Sequence, residues 1–166
     1  NVEKLELVSH IIHRTMSVNT ATFATEKALK ILASFKTYSY KRGWKNLKTI
    51  NQSSSIDVML DVYKNDLKNI QVVKTQEGDS QIEGIQDELD QVWTNLISNA
   101  VYAMTSKGNL KIHIKGLDNA VSVSIEDTGG GIDVASNHDI FEPFFTTKPE
   151  GEGSGLGLDI VKQIVK

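Results

Sequence analysis

Apolar residues recur at a helical period at Leu5, Val8, Ile11, Ile12 and Met16, and again at Ala28, Ile31, Leu32 and Phe35. No glycine or proline interrupts the chain before Gly43. The pattern predicts one long helix over 1–42, polar and threonine-rich in its middle, that ends at the first glycine. Such a helix cannot form a core by itself, so its stripe must face a partner helix or the next domain.

From Trp44 the texture changes. A short strand is expected over 45–50, followed by a helix in which Ser53-Ser-Ser caps the apolar-periodic Ile56 to Tyr63. Residues 69–75 and 80–85 read as two strands around the Glu77-Gly78-Asp79 turn. Over 87–105 the period is helical again: Leu89, Val92, Trp93, Leu96, Ile97, Ala100 and Met104 share one face. At about 100° per residue, Asn95, Asn99 and Tyr102 fall on a flank about a third of a turn away, where a packed helix borders a pocket. Leu110/Ile112/Ile114 and Val121/Val123/Ile125 alternate on two strands, 109–116 and 120–127, joined as a hairpin by Leu117-Asp118-Asn119. A last helix is expected over 156–166. Helices and antiparallel strands in this order predict an α/β sandwich with helices on one sheet face. Two parts follow from the change in texture: a helix over 1–43 and an α/β domain over 44–166.

Composition narrows the function. The net charge is −3, so no basic excess supports nucleic-acid binding. The chain has no apolar run that could cross a bilayer and no signal peptide. It has no cysteine, which removes disulfides and thiolate metal sites and fits a reducing compartment. It begins at Asn1 rather than methionine and is read as part of a longer protein.

The candidate chemistry lies in the second half. Asp127 closes a strand and precedes Thr-Gly-Gly-Gly-Ile132. A carboxylate fixed there can accept a hydrogen bond from the exocyclic amine of adenine, which guanine does not offer. Gly129 and Gly131 let backbone approach a base and adopt positive φ. Alone, such a run is an ordinary glycine turn. Gly151, Gly153, Gly155 and Gly157 stand directly ahead of the last helix, whose free N–H groups and dipole suit a phosphate. No Gly-Lys-Ser/Thr follows, so the spacing is not that of a P-loop. Asn95 and Asn99 are four apart and stack on one helical face, where an amide oxygen suits Mg²⁺. Phe141, Phe144 and Phe145 are expected as anchors, with Lys148 as a cation for terminal phosphates in a mobile lid that also takes in 149–154.

These four blocks, Asn95/Asn99, Asp127–Ile132, Phe141–Lys148 and Gly151–Leu158, resemble the N, G1, F and G2 boxes of the sensor histidine kinase catalytic domain. That domain belongs to the Bergerat-fold ATP-binding superfamily, so the resemblance implies a mixed, largely antiparallel sheet with helices on one face. It implies ATP and Mg²⁺ as ligands. Asn99 would hold the metal, with Tyr102, Asp127, Gly129, Gly131, Ile132, Phe145, Thr146, Thr147, Lys148, Gly153, Ser154, Gly155, Leu156 and Gly157 around the nucleotide. Serine stands at 154 where the family carries threonine, and keeps the hydroxyl. Some members carry a basic residue where Tyr102 stands, and a tyrosine cannot neutralise a phosphate. Hydrolysing relatives place a glutamate, the general base for water, four residues before the metal asparagine. Asn95 occupies that position, and an amide cannot deprotonate water. The resemblance also implies a pair of terminal strands after the last helix, which this sequence does not contain.

Of the four histidines, His113 falls on a strand and His138 just before Phe141, both read as structural or solvated. His10 and His13 lie on the first helix, but Ile11 and Arg14 follow them and the only prolines are Pro143 and Pro149. The acceptor histidine of the family is usually followed by an acidic residue, with a proline a few positions on. Residues 1–43 are therefore read as the second helix of the dimerisation hairpin, with no phosphoacceptor in this chain. The expected function is transfer of the ATP γ-phosphoryl group to a histidine outside it. Expected partners are ATP/ADP, the acceptor helix of the same or a partner subunit, a response regulator receiver domain and a second copy in a homodimer, with no nucleic acid. The expected location is cytoplasmic, with any membrane anchor of the parent in sequence outside this chain. The rival functions are a hydrolytic ATPase and a degenerate nucleotide-binding module of the same fold.

Overall fold

A computed structural model describes residues 47–105, 107–133, 139–149 and 152–165. The helix expected over 1–42, the start of the first strand, His10, His13 and His138 lie outside the described residues. The described part divides into two units, one holding residues up to 145 and from 155 onward, the other Thr146–Ser154.

The main unit runs β1 (Lys48–Asn51), α1 (Gln52–Val62), β2 (Ile70–Glu77), β3 (Gln81–Gly84), α2 (Gln86–Ala103), β4 (Gly108–Leu117), β5 (Ala120–Asp127) and α3 (Gly157–Ile164). β2, β4 and β5 form a three-stranded sheet with β4 central, and β1 pairs with β3 as a separate ribbon. β4 and β5 are the expected antiparallel hairpin, with Ile112 opposite Ile125 and Ile114 opposite Val123. Leu110, Ile112 and Ile114 are buried against the helices, while Lys111, Lys115, Ser122, Ser124 and Glu126 face solvent. Helices therefore cover one sheet face, and α2 packs against α1, α3 and β5.

The strands flanking Gly78 are correctly placed but do not pair with each other. β2 runs parallel to β4, with Val72 opposite Leu110 and Thr75 opposite His113, while β3 runs antiparallel to β1. A parallel neighbour requires a crossover, here supplied by β3 and α2. The chain leaves the sheet at a corner where the backbone of Asp79 crosses Gly116 of β4. A Cβ at Gly116 would stand 2.2 Å from the Asp79 carbonyl oxygen, so a hydrogen is all the space allows. Beyond the corner the Ser80 carbonyl accepts from Gln52 N–H at 2.9 Å and fixes the ribbon to α1.

The cap of α1 also differs from expectation. Asn51, extended at φ −83° and ψ 114°, accepts from Ser54 N–H through its side chain. The serines therefore occupy the first turn, because the helix begins as soon as β1 ends. Ser55 is buried and donates to Asp90 of α2 at 3.0 Å, tying the two helices together. On α2, Val92, Trp93, Ile97 and Ala100 are buried and Met104 closes the core beyond its end, which is the predicted stripe.

Candidate nucleotide site

The flank of α2 beside its buried stripe carries Asn95 and Asn99, both half-buried, and Tyr102, 43% exposed. Two loops meet this flank at different heights. At its C-terminal end Gly129 lies against the backbone of Ala103: an added Cβ would be 2.7 Å from the Ala103 carbonyl carbon and oxygen. At its N-terminal side Gly157, the first residue of α3, faces Asn95, whose Oδ1 lies 3.2 Å from where a Gly157 Cβ would stand. Eight residues separate the two contacts, about 12 Å along the helix axis.

Asp127 is the last residue of β5, and its Oδ1 accepts from Gly129 N–H at 2.8 Å. This bond fixes the carboxylate at the strand end, as the sequence predicts. The reasons for the glycines differ. Gly131 has φ +71°, whereas Gly129 does not adopt a positive φ and is required by its approach to Ala103. Thr128, which sequence reasoning passed over, accepts from Asn109 N–H at 2.9 Å and anchors the loop to β4. Its place directly after the strand-terminal aspartate was the available signal, since a hydroxyl there can reach the neighbouring strand. Ile132 is 58% exposed.

The two ends of the flank are electrically unlike. The C-terminal carbonyls of α2 and the Asp127 carboxylate give the Ala103–Gly129 end a negative character. The N-terminus of α3 gives the Asn95–Gly157 end a positive one. Asp159, the acidic residue in the first turn of α3, accepts from Gln163 one turn on. The α3 dipole favours an anion beside Asn95, opposed by the charge of Asp159, while the C-terminal end of α2 disfavours one beside Gly129.

The phenylalanines depart from expectation. Phe145 is half-buried, but Phe144 is 71% exposed and Phe141 39% exposed, so neither anchors the segment in the core. The ring of Phe141 instead takes the ammonium of Lys162 at 5.8 Å. Phe144 adopts φ +69°, which costs a bulky side chain. Its backbone packs against Gly155, itself at φ +67°, where a Cβ would come within 2.3 Å of the Phe144 carbonyl carbon. Leu156 is buried and precedes α3, whose Ile160 is buried beside the core.

Thr146, Thr147, Lys148, Gly153 and Ser154 belong to the second unit. Within it the Thr146 hydroxyl accepts from Lys148 N–H at 3.1 Å. Gly153 sits over this turn, its missing Cβ position 2.6 Å from Thr146 Oγ1 and 3.2 Å from Lys148 Cβ.

Among the described residues no group of three or more histidine, aspartate or glutamate side chains could cage a metal. The amide oxygen of Asn99 is a hard donor and fits an ion that keeps waters and takes most of its ligands from phosphates. His113, on β4, hydrogen-bonds through Nδ1 to the hydroxyl of Thr75 at 2.9 Å on the solvent face. No described helix is long and apolar enough to cross a membrane.

The fold, the strand-terminal aspartate and the glycine loop ahead of α3 define an ATP-binding α/β sandwich of the Bergerat type. Residues 84–166 match the family described as Histidine kinase-, DNA gyrase B-, and HSP90-like ATPase, and the chain belongs to that family. It is 42% identical over 80 residues to the signal transduction histidine-protein kinase AtoS of Escherichia coli strain K12, covering 48% of this chain and 13% of that protein. The catalytic domain of histidine kinase ThkA superposes with a TM-score of 0.66 at 28% identity, covering 72% of this chain and 80% of that one. ThkA crystallised with the response regulator TrrA superposes with a TM-score of 0.70 at 26% identity, covering 87% of this chain and 42% of that one. The chain spans only 10 to 13% of the length of the first curated relatives it matches.

Proposed function

We propose that this chain is the ATP-binding catalytic region of a two-component sensor histidine kinase, which transfers the γ-phosphoryl group of Mg-ATP to a histidine outside the chain. The single observation that carries the choice of reaction is Asn95, an amide side chain against the first residue of α3. At the anion-favouring end of the flank a hydrolase needs a base for water, and an amide cannot serve. The family match and the relatives named as histidine kinases support the same reading.

Adenine lies at the Asp127–Gly129 end, its amine donating to the carboxylate that Gly129 N–H holds in place. The phosphates run along Asn99 toward the N–H groups at the start of α3. A bound magnesium ion supplies charge neutralisation across the phosphates, and Asn99 is the side chain suited to hold it. By the same resemblance Tyr102, Gly131, Ile132, Phe145, Gly155, Leu156 and Gly157 of the main unit belong to the nucleotide surroundings. Positioning and charge stabilisation do most of the work, since the transferred group needs little covalent help. The resemblance assigns 1–43 to a dimerisation hairpin and 44–166 to the catalytic domain. A response regulator receives the phosphoryl group, and the parent works in the cytoplasm as a homodimer.

The test is incubation of the chain with γ-labelled Mg-ATP and a separately supplied acceptor-histidine hairpin. Acid-labile label on the hairpin histidine is the expected result. Free phosphate released at the same rate with or without the hairpin would mark a hydrolase instead, and no turnover with tight nucleotide binding would mark a degenerate module.

A further inference from the structure

The sheet face turned away from the helices carries a cluster that nucleotide binding does not use. Alternation places Thr75 and Glu77 of β2 on that face together with His113 of β4. Thr75 stands directly opposite His113, and Glu77 lies two residues further along the edge strand. The Thr75 hydroxyl is 2.9 Å from His113 Nδ1, and Glu77 Oε1 is 3.9 Å from His113 Nε2. The two ring nitrogens are therefore engaged differently. Nδ1 is hydrogen-bonded, whereas 3.9 Å is too long for a hydrogen bond. With Nδ1–H donating to the threonine oxygen, Nε2 presents a lone pair to a carboxylate oxygen. Two such donors face each other favourably only when a cation stands between them. A proton alone would make an exposed ion pair, worth about 0–1 kcal/mol.

We propose that His113 Nε2 and Glu77 Oε1 form a two-donor site for a divalent transition metal of the zinc class, with Thr75 as its positioning residue. An imidazole nitrogen with one carboxylate suits zinc, whereas Mg²⁺ takes oxygen ligands. The far nitrogen of a ligating histidine is usually held by a hydrogen bond, which Thr75 supplies. Zinc bonds of about 2.0–2.2 Å at a tetrahedral angle put two donors about 3.4 Å apart. Glu77, with 63% of its side chain exposed, therefore has to close by about half an ångström. Each donor gives a lone pair to the ion and displaces one of its waters, with no change of oxidation state. Water fills the remaining positions, in keeping with the lack of a three-residue cage among the described residues. Charge around the site balances. Lys111 and Lys115 flank His113 along β4, Lys111 pairs with Glu126 at 3.8 Å, and Lys115 stands opposite Glu77. Because one donor comes from β2 and the other from β4, a bound ion clips the edge strand to the centre of the sheet and stabilises the fold by mass action. The site is separate from the flank of α2, which lies on the helical side of the same sheet.

The experiment is titration of the nucleotide-free 166-residue chain with zinc chloride. It is run at about pH 8, above the range in which an ordinary imidazole titrates, and followed through the imidazole nitrogens of His113 by NMR. His113→Gln identifies those signals, so zinc bound at another histidine of the chain is told apart. The expected result is a saturable shift of Nε2 with the proton kept on Nδ1, and no response to Mg²⁺. Glu77→Gln should weaken zinc binding at His113 by about tenfold or more, the loss of one charged ligand. Thr75→Val keeps the shape, removes the hydroxyl and should weaken it by about ten- to a hundredfold. The same variant should free the ring proton to exchange between both nitrogens, a change that a merely structural threonine would not produce. All three side chains lie on the solvent face, so the variants should keep the urea midpoint of the metal-free parent. A His113 ring that zinc leaves unmoved, or one that shifts through Nδ1, would overturn the site. An affinity unchanged by Glu77→Gln would overturn it too, and one unchanged by Thr75→Val would overturn the role given to Thr75.

Discussion

At the scale of single residues, the proposed roles of the site side chains can be tested one at a time. Asn99 is proposed as the side chain that would hold magnesium, so Asn99→Ala should weaken Mg-dependent triphosphate binding by about tenfold or more, the loss of one strong polar contact. Binding of adenosine, which has no phosphates to bridge, should be nearly unchanged. Equal losses for both ligands in a titration would show that Asn99 supports the helix instead. Gly129 makes a second case. A methyl group there meets the carbonyl of Ala103 at 2.7 Å, and neither backbone can yield without moving a helix end. Gly129→Ala should cost about 1–3 kcal/mol, read as a lower urea midpoint at unchanged slope, and should weaken nucleotide binding. A variant as stable as the parent would mean the loop packs elsewhere. The strand-end position of Asp127 was legible because the alternation of β5 runs up to it and glycines follow. The sequence did not reveal why Gly129 is glycine, because the close neighbour lies on α2, 26 residues earlier (129 − 103). It suggested three phenylalanine anchors, yet only Phe145 is half-buried, because hydrophobicity does not say which of three nearby rings finds a pocket.

At the scale of elements, α2 and the β4–β5 hairpin were readable because each carries its own periodicity. The buried stripe of α2 and the alternation of Leu110, Ile112 and Ile114 do not depend on distant partners. The partner of β2 was not readable. A turn with Gly78 between two short strands suits a hairpin, but the backbone of Asp79 passes across Gly116 and carries the chain to the ribbon. Strand pairing is decided by such contacts and not by alternation. α3 poses an energetic question, since eight residues are too few to hold a helix unaided. Its position depends on Leu156 and Ile160, both buried. Ile160→Ala should therefore cost about 2–5 kcal/mol and lower affinity for triphosphate, because the N–H groups of α3 lose their support. Thermal melts and titration of the same variant check this, and a destabilised variant with unaltered nucleotide affinity would separate α3 from the site.

At the scale of the whole molecule, the proposed chemistry is divided between this chain and an acceptor supplied from outside it. Neither His10 nor His13 has an acidic neighbour or a following proline, and Asn95 offers water no base. The chain incubated alone with γ-labelled Mg-ATP should carry no acid-labile phosphate and should hydrolyse the nucleotide slowly. A phosphohistidine mapped to position 10 or 13 would contradict both this division and the reading of 1–43 as a second hairpin helix.

The proposed binding of ATP by Asp127 is tested most directly by titrating the chain with Mg-ATP and Mg-GTP, with Asp127→Asn measured alongside. Asparagine keeps an oxygen for Gly129 N–H, so the loop should survive while the charged acceptor facing the base is lost. The expected result is saturable binding of ATP, GTP weaker by about a hundredfold or more, and loss of the ATP preference in the variant. GTP bound as tightly as ATP by the natural chain would contradict the assignment of Asp127 to the base.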